Sequence, residues 1–297
     1  MDVADRTASP LPVLPSRADD GHKGDYGRVL ILGGSLGMAG APALTAMSAL
    51  RSGAGLVTVA TPQSVQATVA GFDPCYTTVP LLDDPQGVAE LANVVELSTA
   101  AEHFDVWAIG PGLGRSPDAT ELVSQLYRTI PRPLVLDADG LNGLAQAVER
   151  HPQLLEHPPA PRVLTPHPGE YQRLAGASAG RERDERIRAA VELAQRDPSG
   201  ATVVVLKGQG TVVANAGQFA VNTTGNPGMA TGGTGDCLTG VIAALLAQGL
   251  AAWDAARLGV HLHGAAGDAA AERLGQVSMT ARDLMESLPA AFQSASS

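Results

Sequence analysis

The sequence predicts an α/β fold in which a mostly parallel central sheet is covered by helices on both faces. Three observations carry this. Short apolar runs that stop at glycine or proline alternate with longer Ala- and Leu-rich stretches, as in strands joined by crossover helices. Beyond Asp236 the pattern is helical to the end of the chain. Before that point, segments bearing Gly, Asp or His follow one apolar run after another, where open α/β sheets bind their ligands.

Each element has its own signal. Residues 1–20 are rich in Pro, Ser and Asp, which predicts a flexible N-terminal arm. Residues 21–297 contain no repeat and no linker, which predicts one domain. RVLILGG, from Arg28, reads as a buried strand stopped by glycines. APALTAMSALRSGAG is a small-residue helix closed by Gly53, and the β-branched LVTVATP is a second strand ending at Pro62. FDVWAIGPGLG repeats the strand-into-glycine pattern, with ATELVSQLYRTI as the helix after it. PLVLDADG and LNGLAQAVERH are the next strand and helix. RVLTPHPGE and ATVVVLKGQG are strands on either side of an arginine-rich helix, Arg181 to Gln195. TVVAN and QFAVN form a hairpin or adjoining edge strands. CLTGVIAALLAQG, AAWDAARLGVHLHGAAGDAAAERL and a short segment near Leu284 are helices.

Composition narrows the function. With 44% hydrophobic and 17% charged residues in 297, the chain can bury a large core. Aromatic residues are only 3%, so Ala, Val and Leu must build that core. A net charge of −10 argues against a nucleic-acid partner. Cys75 and Cys237 are too few for a disulfide framework, no segment is apolar enough to span a bilayer, and the cytoplasm is the expected compartment. Lysine stands only at Lys23 and Lys207, every other cationic side chain being arginine. Lys207, in LKGQGT, therefore marks a place for a compact ammonium, whereas Lys23 reads equally well as surface.

NTTGNPGMATGGTGDCLTGV, from Asn222 to Val241, is the most informative stretch. Glycine crowds the start of an apolar helix, so backbone N–H groups of Gly232, Gly233, Thr234 and Gly235 are free to form an anion hole beside the positive end of the helix dipole. Asp236 is the wrong partner for a phosphate. It suits a hydroxyl that must lose its proton while attacking one. The plainer alternative is that Asp236 caps the helix. Other motifs are weaker. ILGGSLGMAG matches a dinucleotide fingerprint loosely, no Gly-Lys-Ser/Thr loop is present, and His261 and His263, two apart on a helix, read as structural. Cys237 reads as a small helix residue. His167, between prolines at a strand end, is expected to face the crevice; Asp137 and Asp139 suit a metal or a helix cap equally.

GDYGRVLILGG, GMAGAPALTAMSALRSGAGLVTV, IGPGLG, LVLDADGLN, LTPHPGE, VVLKGQGT and NTTGNPGMATGGTGD resemble, in this order, segments of the ADP-dependent NAD(P)H-hydrate dehydratases. The resemblance implies a ribokinase-like three-layer sandwich over 21–297. It also implies a reaction: ADP phosphorylates the hydroxyl of hydrated NADH or NADPH, phosphate is eliminated, and AMP is released. By the same resemblance Ala41, Gly112, His167 and Asp236 contact the hydrate, with Asp236 catalytic. Lys207, Gly208, Gln209, Gly210, Thr211 and Gly235 contact the adenine nucleotide. Mg2+ as cofactor and a homo-oligomer, often a tetramer, are implied too, with no metal ligands assigned. Glu170 stands where kinase relatives carry Asn-x-x-Glu, but His167 replaces the Asn. The epimerase domain fused to some members is not expected. A kinase for a vitamin precursor or sugar on the same fold, and a nucleotide sensor without turnover, are the competing readings.

Overall fold

The structure, a computed structural model, describes residues 3–295. Ten strands form one sheet: β1 (Ala4–Asp5), β2 (Arg28–Leu32), β3 (Leu56–Pro62), β4 (Thr77–Leu81), β5 (Val106–Ile109), β6 (Leu134–Leu136), β7 (Arg162–Leu164), β8 (Thr202–Leu206), β9 (Val212–Ala214) and β10 (Gln218–Val221). Their spatial order is β1-β10-β9-β8-β7-β6-β5-β2-β3-β4, and only β9 runs against its neighbours. Every predicted strand is present, and TVVAN and QFAVN do form the hairpin of β9 and β10. β4, an edge strand, has no counterpart in the sequence reading: Pro80 interrupts TTVPL and conceals it, yet an edge tolerates a residue without an N–H.

Helices α1 (Gly40–Arg51), α2 (Gln63–Ala70), α8 (Thr234–Ala247), α9 (Ala252–Leu274) and α10 (Ala281–Ala295) cover one face of the sheet. The other face carries α3 (Val94–Ala100), α4 (Pro117–Thr129), α5 (Ala138–Arg150), α6 (Pro168–Ala175) and α7 (Arg183–Ala194). Alternation within one strand shows why both faces are apolar. Val29 and Ile31 enter the first core, Leu30 and Leu32 the second, and all four are essentially fully buried. With so few aromatics the layers must sit close. Gly240 shows how close: a Cβ there would lie 2.1 Å from the Thr45 carbonyl oxygen of α1. α10 is longer than the short helix expected near Leu284, and it runs on through Pro289.

The arm is the main correction. Rather than hanging loosely, its first residues add β1 in parallel to the outer edge of β10. Val221 N–H donates to Thr7 Oγ1 (3.1 Å), and the Arg257 guanidinium donates to the carbonyls of Arg6, Ser9 and Pro10. Further on, Arg17 donates to the Gly53 carbonyl (2.6 Å) and stacks over Tyr26. The physical reason is the open edge of β10, whose unpaired backbone groups need partners. No helix among the described residues is long and apolar enough to cross a membrane.

Candidate active site

Because all strands but β9 run the same way, the ends of β2, β5, β6, β7 and β8 open on one edge. The segments singled out in the sequence therefore converge there. Gly233, at φ 94°, is the N-cap of α8 and supplies no side-chain cap, so the first-turn amides of Thr234, Gly235 and Asp236 meet no capping side chain. This decides against the plain reading of Asp236 as a cap, since it sits three residues inside. Thr234 contributes its backbone to this turn. Its hydroxyl is occupied, donating to the Met229 and Thr231 carbonyls (2.9 and 3.1 Å). Buried His263 donates a ring N–H to the Thr234 carbonyl (2.8 Å), and burial pushes its pKa down to about 4. It is a structural histidine, as its spacing suggested. Cys237 is fully buried in the helix packing.

Asp236 is partly buried in the first turn of α8. Burial and the negative charge of Asp137, with smaller contributions from Glu170 and Asp139, push its pKa up to about 7 against the pull of Lys207. The Lys207 ammonium lies 2.5 Å from Asp137 Oδ1 and 3.8 Å from Glu170 Oε2. Burial works against its charge, but Asp137 and Glu170 outweigh it and the pKa is raised. The ammonium also lies close to the first turn of α8: a Cβ on Gly235 would lie 3.3 Å from Nζ. A side chain at 235 would press on the ammonium, which would have to shift by a few tenths of an ångström.

The Gly208–Thr211 loop leaves β8 directly after Lys207. Its turn is closed by Thr211 Oγ1 donating to the Gly208 carbonyl (2.9 Å). Arg186 of α7 grips it from outside, donating to the carbonyls of Leu206 (3.0 Å), Lys207 (3.2 Å) and Gln209. On the other flank, a Cβ on Gly112 would lie 3.1 Å from Ala41 Cβ, so these two form one wall. His167 is half-exposed at the start of α6. Its Nδ1 accepts the N–H groups of Gly169 and Glu170 (3.0 and 3.3 Å), which places the ring proton on Nε2, 3.2 Å from Glu170 Oε1. The capping box closes with His167 N–H donating to Glu170 Oε2 (2.8 Å). Burial, with Lys207 and Arg173, holds the imidazole below its ordinary pKa, and burial pushes Glu170 up to about 7.

Sequence reasoning missed several supports. Asp268 of α9 accepts from Gly225 N–H (2.8 Å) and Asn226 Nδ2 (3.0 Å), pinning the loop before α8. Arg186 gave no sign beyond its arginine-rich helix. Asp139 is not the cap, lying inside α5: it accepts from Gly114 N–H, Arg115 and Asn142. Asp137, the other open case, binds Lys207 and Thr239. No group of three His, Cys, Asp or Glu side chains among the described residues could hold a metal ion.

The profile of the NAD(P)H-hydrate dehydratase family matches residues 29–290. The chain belongs to this family. It is 46% identical over 277 residues to the bifunctional NAD(P)H-hydrate repair enzyme Nnr of Moorella thermoacetica, covering 93% of this chain and 51% of that protein. The chain thus spans about half the length of the curated relatives it matches. A solved ADP/ATP-dependent NAD(P)H-hydrate dehydratase from Bacillus subtilis, co-crystallized with ATP/Mg2+, superposes with a TM-score of 0.78 at 32% identity, covering 99% of each chain. A ribokinase-like superfamily protein from Enterococcus faecalis superposes equally well (TM-score 0.78, 28% identity, 95% of this chain and 92% of that one). The expected ribokinase-like sandwich is the fold.

Proposed function

We propose that this chain dehydrates NADH or NADPH hydrate at the expense of ADP, restoring the reduced cofactor and releasing AMP and phosphate. One observation carries the reading: a partly buried carboxylate of raised pKa, Asp236, stands in the first turn of α8 beside uncapped amides. The amides of Gly232 through Gly235 grip the transferring phosphoryl group, and Lys207 neutralises charge beneath Gly235. Asp236 takes the proton from the ring hydroxyl as that oxygen attacks the terminal phosphorus of ADP, and AMP leaves. The ring carbon–oxygen bond then breaks with phosphate as leaving group. The ring nitrogen pushes electrons in, and loss of a proton from the adjacent carbon restores the double bond. Hydroxide would leave poorly; phosphate leaves well.

In this reading the wall of Ala41 and Gly112, together with His167, receives the hydrate, while Lys207 to Thr211 and Gly235 receive the nucleotide. The donor set fits a magnesium ion carried in on phosphate oxygens, which needs one or two carboxylates at most, rather than an ion caged by protein. When bound there it would neutralise phosphate charge, with Glu170 a candidate to hold it. A cytoplasmic tetramer completes the reading; size-exclusion chromatography with light scattering tests the assembly. The main experiment incubates the protein with hydrated NADH, ADP and magnesium. Recovery of the near-ultraviolet absorbance of NADH with stoichiometric AMP supports the reading. A stable phosphate ester of another alcohol, without that recovery, would move the chain to the small-molecule kinases.

A further inference from the structure

Asp137 sits at the end of β6, one position before α5, where an aspartate ordinarily accepts an N–H of its own helix. This one makes no such bond. Its side chain turns inward and is 1% exposed. One oxygen takes the Lys207 ammonium (2.5 Å); the other accepts from Thr239 Oγ1 (2.8 Å), one turn along α8 from Gly235. Its main chain is locked as well: Asp137 N–H donates to the Ile109 carbonyl (3.1 Å), and the Asp137 carbonyl accepts from Gly140 N–H (2.9 Å). Ala138 directly after it has φ 48°, a left-handed conformation that a residue with a Cβ avoids. Strain here, and a forgone cap, both serve to aim one carboxylate under the anion hole.

We propose that Asp137 is the positioning residue of the phosphoryl-transfer site: it holds Lys207 against Gly235 and ties that ammonium to α8 through Thr239. The proposal rests on the reading of this edge as a nucleotide site. It assigns to Asp137 neither a cap nor a metal. The groups around the neighbouring base, Asp236, are Asp137 from β6, Lys207 from β8, Glu170 from α6 and Asp139 from α5. Loss of the Asp137 charge, and the freeing of Lys207 toward Asp236, both favour the ionised base.

The test is a double-mutant cycle read by isothermal titration of ADP and magnesium, which needs no turnover. Asp137→Asn and Lys207→Met should each weaken ADP about 10–100-fold, and the double variant should lose little beyond the worse single one. Additive losses would overturn the proposal. So would recovery of Asp137→Asn binding on raising magnesium alone, because that marks a metal ligand. Thr239→Val removes the second donor while conserving shape. It should weaken ADP severalfold, and an unchanged dissociation constant would overturn the proposal even if Asp137→Asn did not fold. In turnover, the acidic limb of kcat/KM should move to lower pH in Asp137→Asn; a fixed limb would count against it. A wild type that binds ADP yet leaves hydrated NADH untouched would sink the functional reading and leave the binding cycle standing.

Discussion

Two cations, one buried and one partly buried, stand at opposite edges of the same sheet. Arg162 begins β7 at the edge away from the site and is fully buried. Its terminal nitrogens donate to five carbonyls, those of Tyr127, Ile130, Arg132, Ala160 and Pro161, and its guanidinium stacks near the Tyr127 ring. Among the described residues no carboxylate pairs with it, and burial lowers its pKa to about 10. Lys207 directly follows β8 at the opposite edge and is held by carboxylates instead. Neutral carbonyls at fixed positions bind a rigid fork and make an inert clamp on loop ends. Carboxylates around a compact ammonium store charge that an incoming phosphate can redistribute. The first arrangement holds the fold; in the proposed reading the second receives a ligand.

The sharpest break of this contrast is Asp236→Asn. It should cut kcat by about 10²–10⁴-fold while ADP affinity is retained, measured by steady-state turnover and titration. Unchanged turnover would remove Asp236 from the chemistry. Arg162→Met should do the opposite, lowering stability measured by urea unfolding by roughly 3 kcal/mol or more, since several carbonyls lose their donor. Its turnover per folded molecule should match wild type, and a selective loss of kcat would contradict the clamp reading.

Exchanging the two cation types refines the comparison. Lys207→Arg should weaken ADP about tenfold, because a planar fork cannot enter the space beside Gly235 that the ammonium fills; wild-type affinity would show that charge alone suffices. The smallest effects are in pH. The folded pKa of Asp236, about 7, lies above its ordinary value of 3.8. Activity that needs the ionised base should therefore fall as pH drops through about 7. Stability follows the reverse sign. The contribution of the protonated acid is fully present below the unfolded pKa and is lost as pH rises through about 7. Asp236→Asn should accordingly melt higher than wild type at pH 8, by on the order of 1 kcal/mol, and the gap should shrink as pH falls below about 7 and close only near the unfolded pKa of 3.8. Equal melting at both values would show that the charge is not strained.

The arm teaches the same lesson in a different place. Its composition pointed to a loose segment, but composition does not register that β10 offers an unpaired edge or that Arg257 waits with three bonds for its carbonyls. β4 was missed for a related reason: Pro80 is a strand breaker by local rules and harmless at an edge.

What the sequence by itself determined is local. Apolar runs, glycine stops and the GGTGD turn depend on neighbours a few residues apart, so strand ends, the free amides and the acid beside them were all legible, as was the weight placed on a solitary lysine after β8. What only the tertiary structure decided is which distant groups share that edge. Asp137 meets Lys207 across 70 positions and Thr239 across 102. Those meetings follow from the order β6-β7-β8 and from α8 packing beneath it. Strand order is set by burial of two whole faces at once, a sum over the core that no single stretch contains.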